Sequence, residues 1–408
     1  MNSVPSGERI HIGIFGRRNA GKSSMINAIT GQELAVVSDF PGTTTDPVKK
    51  AMEILPLGPV VLIDTPGIDD EGTLGEKRVE KAMGVIDQCD MALIIMDITG
   101  IISSYEIELI KAFDKKNIPY ILVLSKKDLL AVNESLSLLS EGICKSLEDL
   151  SIKLNPNHIE VVSMYDKDDI HRLKEAIARF LPDKKEKYIV RDLVQKGDTV
   201  ILVIPIDEAA PKGRIILPQQ MVLRELLDNE CITICVQPET LRSSLDGLKN
   251  EPSLVITDSQ AFKEVASILP ESIRLTSFSV LMARYKGDFE SLLDGASAID
   301  KLQDGDKVLI AEACTHHRQC NDIGTVKIPA LLTKYTGKEL QFSFTSGGEF
   351  PGNLDEYKMV VHCGGCMIGE AEMKSRMALA KQNGVAIVNY GMLFAKINGI
   401  LERISNIL

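Results

Sequence analysis

Tryptophan is absent from the 408-residue chain, and low-complexity tracts and internal repeats are absent with it. No apolar run approaches the roughly 18 residues of a membrane-spanning helix; Met91–Met96 and Val200–Ile206 are strand-sized. The N-terminus carries no charged-then-apolar leader, so secretion finds no support. Positive charge is in deficit: the net charge is −11 and the pI near 5.2, which argues against a nucleic acid held by general electrostatics. The eight cysteines follow no small-domain disulfide spacing. That points to a reducing cytoplasm, where clustered cysteines more often bind metal. The remaining composition, 44% hydrophobic and 25% charged, is ordinary for a globular protein with room for roughly two to four domains.

Against those absences stands the stretch from Phe15 to Ser24, Phe-Gly-Arg-Arg-Asn-Ala-Gly-Lys-Ser-Ser. Gly16, Arg17, Arg18, Asn19, Ala20, Gly21, Lys22 and Ser23 fill the pattern Gly-x-x-x-x-Gly-Lys-Ser/Thr, and Ser24 opens the helical pattern that follows. An apolar run at 10–15 precedes it, which completes the strand–loop–helix setting the motif needs. A glycine-rich turn without a ligand is the bland alternative, and that setting weighs against it. The glycines let backbone N–H groups crowd round a polyphosphate, while the helix N-terminus adds positive potential. Lys22 then reaches the outer phosphates, and Ser23 offers its hydroxyl to Mg²⁺. The chain is expected to bind a nucleotide.

Through about residue 185, strand patterns at 10–15, 51–55, 60–63, 91–96, 119–124 and 159–162 alternate with helical ones at 22–30, 76–87, 104–116, 134–149 and 168–180. Such alternation predicts an α/β domain with a mainly parallel sheet, whose ligands sit beyond the carboxyl ends of the strands. Asp64-Thr65-Pro66-Gly67 closes one strand; Asp64 can hold the Mg²⁺ shell, and the Gly67 N–H can meet a γ-phosphate. In the preceding loop Thr44, with Thr43 and Thr45 as near competitors, can close over the metal when the triphosphate is present. Ser125-Lys126-Lys127-Asp128 ends another strand, and Asp128 is placed to accept from the N1–H and N2–H₂ of guanine. Ser163, after Val161-Val162, can add a backbone contact to the base. Singly, each short motif reads as a solvated turn. In this order, each after a strand, they reinforce one another.

With those residues the segment resembles the small GTPase fold, and within it the translation-factor-related branch that includes the Era and MnmE families. Asn19 matches the asparagine by which potassium-activated members of that branch are recognised, and Ile68 stands where many GTPases carry a catalytic glutamine. The resemblance implies that K⁺ near Asn19 supplies the charge an arginine finger would otherwise bring, and that intrinsic GTP hydrolysis is slow without it. Ser125 replaces the family's usual asparagine, so guanine affinity is expected to weaken while the Asp128 contact survives.

A charged bridge from Lys184 to Lys187 leads into residues 186–270, where strands at 199–206, 232–236 and 254–257 alternate with helices at 219–229, 238–248 and 259–268. No chemical motif appears there. Cys231 and Cys235 are expected as ordinary thiols on one face of a strand. The open edges of a three-stranded sheet need covering, which suggests dimerisation.

From 271 onward strands at 272–276, 307–312, 340–344, 358–362 and 385–389 again alternate with helices. Two strands run into metal-ligand chemistry: one into Cys314-Thr315-His316-His317, the other into His362-Cys363-Gly364-Gly365-Cys366. Both clusters lie at carboxyl ends, on one rim of the sheet, where they can converge. Gly364 and Gly365 permit a tight loop with backbone N–H groups free to bond sulfur. A thioredoxin-like disulfide, a zinc held by Cys314, His316, Cys363 and Cys366, and plain buried thiols all compete. The leading reading is a [4Fe-4S] cluster held by three thiolates, its fourth iron taking His316, His362, water or an outside ligand. Cys320 is a spare.

A Cys-x-His segment paired with a distant His-Cys-x-x-Cys, behind an Era-like GTPase, resembles the HydF family of scaffold GTPases in [FeFe]-hydrogenase maturation, over essentially the whole chain. The resemblance implies an α/β chain of three parts: a P-loop GTPase domain at 1–185, a small central dimerisation domain at 186–270, and an iron–sulfur cluster domain at 271–408. It implies Cys314, Cys363 and Cys366 as cluster cysteines, with His316 and His362 holding a weaker claim. GTP, Mg²⁺, K⁺ and a [4Fe-4S] cluster are the implied cofactors. A transient two-iron precursor is the implied cargo, with apo [FeFe]-hydrogenase and the radical enzymes HydE and HydG as partners of a cytoplasmic homodimer. No nucleic acid or membrane partner is expected. The alternatives are a ribosome- or RNA-associated GTPase with a zinc domain, which the acidic pI disfavours, and a metal-insertion NTPase for another metalloenzyme.

Overall fold

The computed structural model describes residues 4–31, 47–67, 82–98, 102–130, 136–149, 152, 158–181, 186–206, 215–313 and 322–407. The chain divides into two compact units, Met1–Lys184 and Lys185–Leu408.

In the first unit six strands form one sheet: β1 (Ile10–Phe15), β2 (Val48–Ile54), β3 (Gly58–Asp64), β4 (Met91–Asp97), β5 (Tyr120–Ser125) and β6 (Ile159–Val161). Their order is β2-β3-β1-β4-β5-β6, parallel throughout except for β2, which runs antiparallel to β3 at the edge. The strands β4 and β5 are apolar and buried along almost their whole length, as strands covered on both faces must be. On one face Met25, Ile26 and Ile29 of the helix Lys22–Thr30 pack with Leu173 and Ile177 of the helix Lys167–Phe180 over Ile12 and Ile14. On the other, Leu109, Ile110 and Phe113 of the helix Ser104–Lys116 pack against Phe15 and Ile94. The layers set the carboxyl ends of β1, β3 and β5 free for chemistry. The helix expected at 76–87 falls largely outside the described residues.

The second unit holds two parallel four-stranded sheets. The central one comprises β7 (Thr199–Val203), β8 (Ile232–Val236), β9 (Leu254–Thr257) and β10 (Leu275–Ser277), in the order β10-β9-β7-β8. The strand expected at 272–276 as the start of the last segment is therefore β10, the edge of the central sheet, with Leu275 opposite Val255. A βαβ pattern does not say which sheet a strand joins. Here the pairing is decided by the buried Leu275, which completes the apolar face over Phe262. Cys231 lies just ahead of β8 and is buried, whereas Cys235 within it is exposed, so the two thiols differ in cover.

The second sheet comprises β11 (Lys307–Glu312), β12 (Gln341–Ser346), β13 (Met359–His362) and β14 (Ala386–Asn389), in the order β12-β11-β13-β14. One apolar core joins the two sheets, running from Val255 and Phe262 through Val280 to Val308, Val360 and Val388. No helix among the described residues is long and apolar enough to cross a membrane.

Candidate functional site

The phosphate loop leaves β1 and returns into the helix Lys22–Thr30, with Gly21 as its N-cap. Gly16 and Gly21 take positive φ, and so does Asn19, at 60°, an angle asparagine tolerates better than most residues. Lys22 is 8% exposed. Its Nζ donates to Gly16 O at 2.7 Å and Arg17 O at 2.8 Å, so the ammonium sits inside the loop on the loop's own carbonyls. Gly67 follows β3 and presses on the same place: a Cβ there would lie 3.1 Å from Lys22 Nζ and 3.1 Å from Arg18 Cα. A side chain would fill the cradle that a terminal phosphate needs. Burial raises the Asp64 carboxyl above its usual range, with Lys22 and Lys50 opposing. A carboxylate in that state gains from a divalent cation at Ser23. Ala20 is buried, Ser23 and Ser24 are half-buried, and Arg18 and Asn19 are exposed. Arg17 donates from Nε to Glu106 Oε1 at 3.0 Å, and Glu106 is itself fully buried.

At the base end, Asp128 Oδ1 accepts from Ser163 Oγ at 2.9 Å. The Ser163 N–H donates to Asp169 Oδ2 at 2.9 Å, and Asp169 also takes Lys127 at 2.9 Å and Arg172. Burial works against the Asp169 carboxylate, but those hydrogen bonds outweigh it and hold the group below its usual range. Sequence reading had given Ser163 only a backbone contact; its hydroxyl aims Asp128. Ser125 is buried with its Oγ 2.7 Å from Ala20 O and 2.9 Å from Met96 O, so the serine ties the phosphate loop to β4. Lys126, at φ 62°, pairs with Asp97. Thr43, Thr44, Thr45 and Ile68 lie outside the described residues.

The cysteine site grows from the parallel pair β11 and β13, where Ala311 stands opposite His362. The Cys363 N–H donates to Ala311 O at 3.0 Å. The Ala313 N–H then donates to Cys363 Sγ at 3.1 Å, joined by Gly365 N–H at 3.4 Å. The sulfur thus lies against the residue immediately ahead of Cys314. Gly365 has φ 63°, in the left-handed region that favours glycine, and a Cβ there would lie 2.3 Å from Met373 Cε, so a side chain would displace that methionine. Burial raises the Cys366 thiol; the Lys286 charge and backbone N–H groups of Cys366 and Met367 oppose it. Backbone donors reach both sulfurs, as they do around thiolates that bind iron or zinc, while burial keeps the free Cys366 thiol neutral. Cys314, His316 and Cys320 lie outside the described residues, and among those described no group of three or more metal-ligating side chains is assembled.

His362, expected as a candidate ligand, is 1% exposed with both ring nitrogens engaged. Nδ1 lies 2.8 Å from Cys363 O and Nε2 3.0 Å from Arg376 Nη1. A carbonyl accepts and a guanidinium donates, so Nδ1 carries the proton and the ring is neutral. Burial, reinforced by Arg376, pushes its pKa down to about 4. No lone pair is left for a metal, so in this conformation the imidazole braces the Cys363 carbonyl instead of ligating. Arg376 also donates to Glu372 at 2.6 Å and Gly347 O at 3.1 Å, with its guanidinium 5.0 Å from the Phe350 ring centroid. Motif reading missed Glu372 and Arg376. Their i, i+4 spacing on the helix Glu370–Gln382 was the available signal.

Residues 290–407 match the family model described as the hydrogen maturase F tetramerization domain, and residues 189–287 match its dimerization domain. The chain belongs to the HydF family. Ahead of these HydF-specific segments, residues 11–126 match the model described as 50S ribosome-binding GTPase, so the chain opens with a GTPase domain of the P-loop kind. GTPase Der of Mycoplasmopsis pulmonis is 39% identical over 123 residues, 29% of this chain and 28% of that one. The tRNA modification GTPase MnmE of Helicobacter pylori is 31% identical over 188 residues, 45% of this chain and 39% of that one. The HydF chain therefore spans well under half the length of these curated relatives. Era of Aquifex aeolicus, in a crystal structure with GDP and aluminium fluoride, aligns over 56% of this chain and 92% of its own at 20% identity, with a TM-score of 0.37.

Proposed function

We propose that this HydF-family chain is a GTP-hydrolysing scaffold that carries the two-iron precursor of [FeFe]-hydrogenase on a cysteine-bound [4Fe-4S] cluster. The observation that carries the reading is the Cys363 sulfur, held by two backbone N–H groups beside Ala313, within a HydF-specific segment. Cys363 and Cys366, with Cys314 directly after Ala313, would hold the cluster. When bound, it supplies a redox-active centre with one iron open to an outside ligand. The protein's own part is to orient the sulfurs, to keep His362 neutral behind Cys363, and to limit water.

GTP lies on the loop 16–24, with Mg²⁺ held by Ser23, Asp64 and Thr44 and guanine selected by Asp128. K⁺ at Asn19 takes the place of an arginine finger, and hydrolysis is slow without it. Binding orders the loops around Thr44 and Gly67, hydrolysis releases them, and the change gates docking of HydE, HydG or apo-hydrogenase. The GTPase domain occupies 1–185. The dimerisation domain starts at 186 and, because β10 pairs within its sheet, extends past 270 to the end of the helix Phe278–Lys286; the cluster domain follows. A second copy is supported by β8, an edge strand whose Ile232 is 57% exposed. The assembly works in the cytoplasm.

The test is transfer. Chain purified after co-expression with the radical enzymes should switch on hydrogen evolution by apo-[FeFe]-hydrogenase, and its Cys363→Ser variant should not. Equal activation by both would refute the carrier reading. Equal partner affinity with GDP and a nonhydrolysable GTP analogue would refute the gating.

A further inference from the structure

Asp169 stands in the first turn of the helix Lys167–Phe180, where an acidic side chain complements the helix dipole and ordinarily faces solvent. Here it is 1% exposed. A buried carboxylate is costly unless cations and N–H groups meet it. Lys127 Nζ donates to Oδ1 at 2.9 Å and to Oδ2 at 3.0 Å, the Ser163 N–H donates to Oδ2 at 2.9 Å, and Arg172 donates to Oδ1.

Two of those partners come from outside the helix, and both bear on Asp128. Lys127 is the neighbour of Asp128 in the loop after β5, and its N–H donates to Val162 O at 3.3 Å. Ser163 follows β6, and its Oγ donates to Asp128 Oδ1 at 2.9 Å. Asp128 itself is exposed, on the three-residue turn Lys127–Leu129, which is entered through Lys126 at φ 62°. A short turn that begins with a left-handed lysine persists only where its surroundings hold it. Asp169 supplies that hold from the buried side, tying the loop after β5 to the loop after β6.

We propose that Asp169 is a positioning residue for base recognition, clamping these two loops so that the Asp128 carboxylate faces the N1–H and N2–H₂ edge of guanine. It rests on the reading of Asp128 as the group that selects guanine. One carboxylate meets two coplanar donors only in a narrow range of orientations, so a loosened Asp128 loses more from guanine than from a base with a single donor. Hypoxanthine is such a base, since it keeps N1–H and lacks the amine. An ion pair that merely stabilised the fold would affect both bases alike.

The test uses the full chain as wild type, D169N, K127M and the double variant, with circular dichroism to check that each is folded. Dissociation constants are measured for GDP and for inosine diphosphate, and KM and kcat for GTP. Wild type should prefer GDP. D169N should bind GDP about tenfold and inosine diphosphate about threefold more weakly, so the preference narrows about threefold. Its KM for GTP should rise about tenfold while kcat stays within about twofold. K127M should narrow the preference by less, and the double variant should be no worse than D169N, because both substitutions open one clamp. Should D169N fail to fold, K127M decides alone, since the Lys127 side chain is partly exposed. Wild type that binds the two diphosphates equally overturns the guanine reading and this assignment together. A wild-type preference that persists in folded D169N, or in K127M where that variant decides, overturns only the role of Asp169, whether the affinities are unchanged or fall equally.

Discussion

In the phosphate loop the buried cation, Lys22, lies six residues from the Gly16 carbonyl it meets. In the cysteine loop the corresponding cation, Lys286, lies 79 residues from the Gly365 carbonyl. One loop is a closed local device in which glycines, lysine and helix N-terminus are contiguous. The other is assembled from a strand end, a helix of the central part and the pair Glu372–Arg376 behind His362. The contrast explains what each can tolerate. The phosphate loop keeps its geometry as long as its own residues persist, whereas the cysteine loop depends on buried polar groups brought from a distance. Such groups are expensive to leave unpaired.

Perturbations that separate the two loops should show this, beginning with the most severe. Cys366→Ser should abolish the reduced-cluster EPR signal outright while GTP turnover stays within about twofold, because Cys366 has no part in the nucleotide site. Lys22→Ala should do the reverse, lowering GTP hydrolysis by roughly 100- to 1,000-fold with iron content unchanged. Arg376→Met removes the buried guanidinium that bridges Glu372, His362 and Gly347 O and should cost about 3–5 kcal/mol. Hydrogen exchange should register the loss in β11 and β13 and leave β1 and β4 protected. Asp169 is held below its usual range by its hydrogen bonds, so its contribution is present above about pH 4 and fades as pH falls through the folded value. Thermal melts should find Asp169→Asn less stable than wild type at pH 7, the gap narrowing as the pH falls through the folded value. The smallest effect belongs to Ser163→Ala, which frees Asp128 and should weaken GTP binding about fivefold while leaving ATP binding equally poor.

The nucleotide end was legible because its chemistry is contiguous: residues 16–24 name their loop, and Asp64, Gly67 and Asp128 each follow a strand whose apolar run marks it. The alternation of strand and helix likewise predicted the α/β layers in both units. Sheet membership was not legible. The strand at Leu275–Ser277 reads the same whether it pairs with β9 or opens a new sheet, and only the partner face decides. The motif His-Cys-x-x-Cys marked the cysteine loop but gave no sign of Arg376, which lies on the ring nitrogen that a ligating His362 would need. Lys286 left no motif because what sets it apart is burial, and a lysine ending a helix reads as an ordinary solvent-facing cap.

EPR on the anaerobically reconstituted full chain, wild type beside Cys366→Ser, bears most directly on the claim that the loop at the end of β13 holds an iron–sulfur centre apart from the nucleotide site. The account predicts a brown wild-type protein with a signal on reduction, and a variant without it that still hydrolyses GTP. A wild type that stays colourless, or a variant whose signal is unchanged, would contradict it.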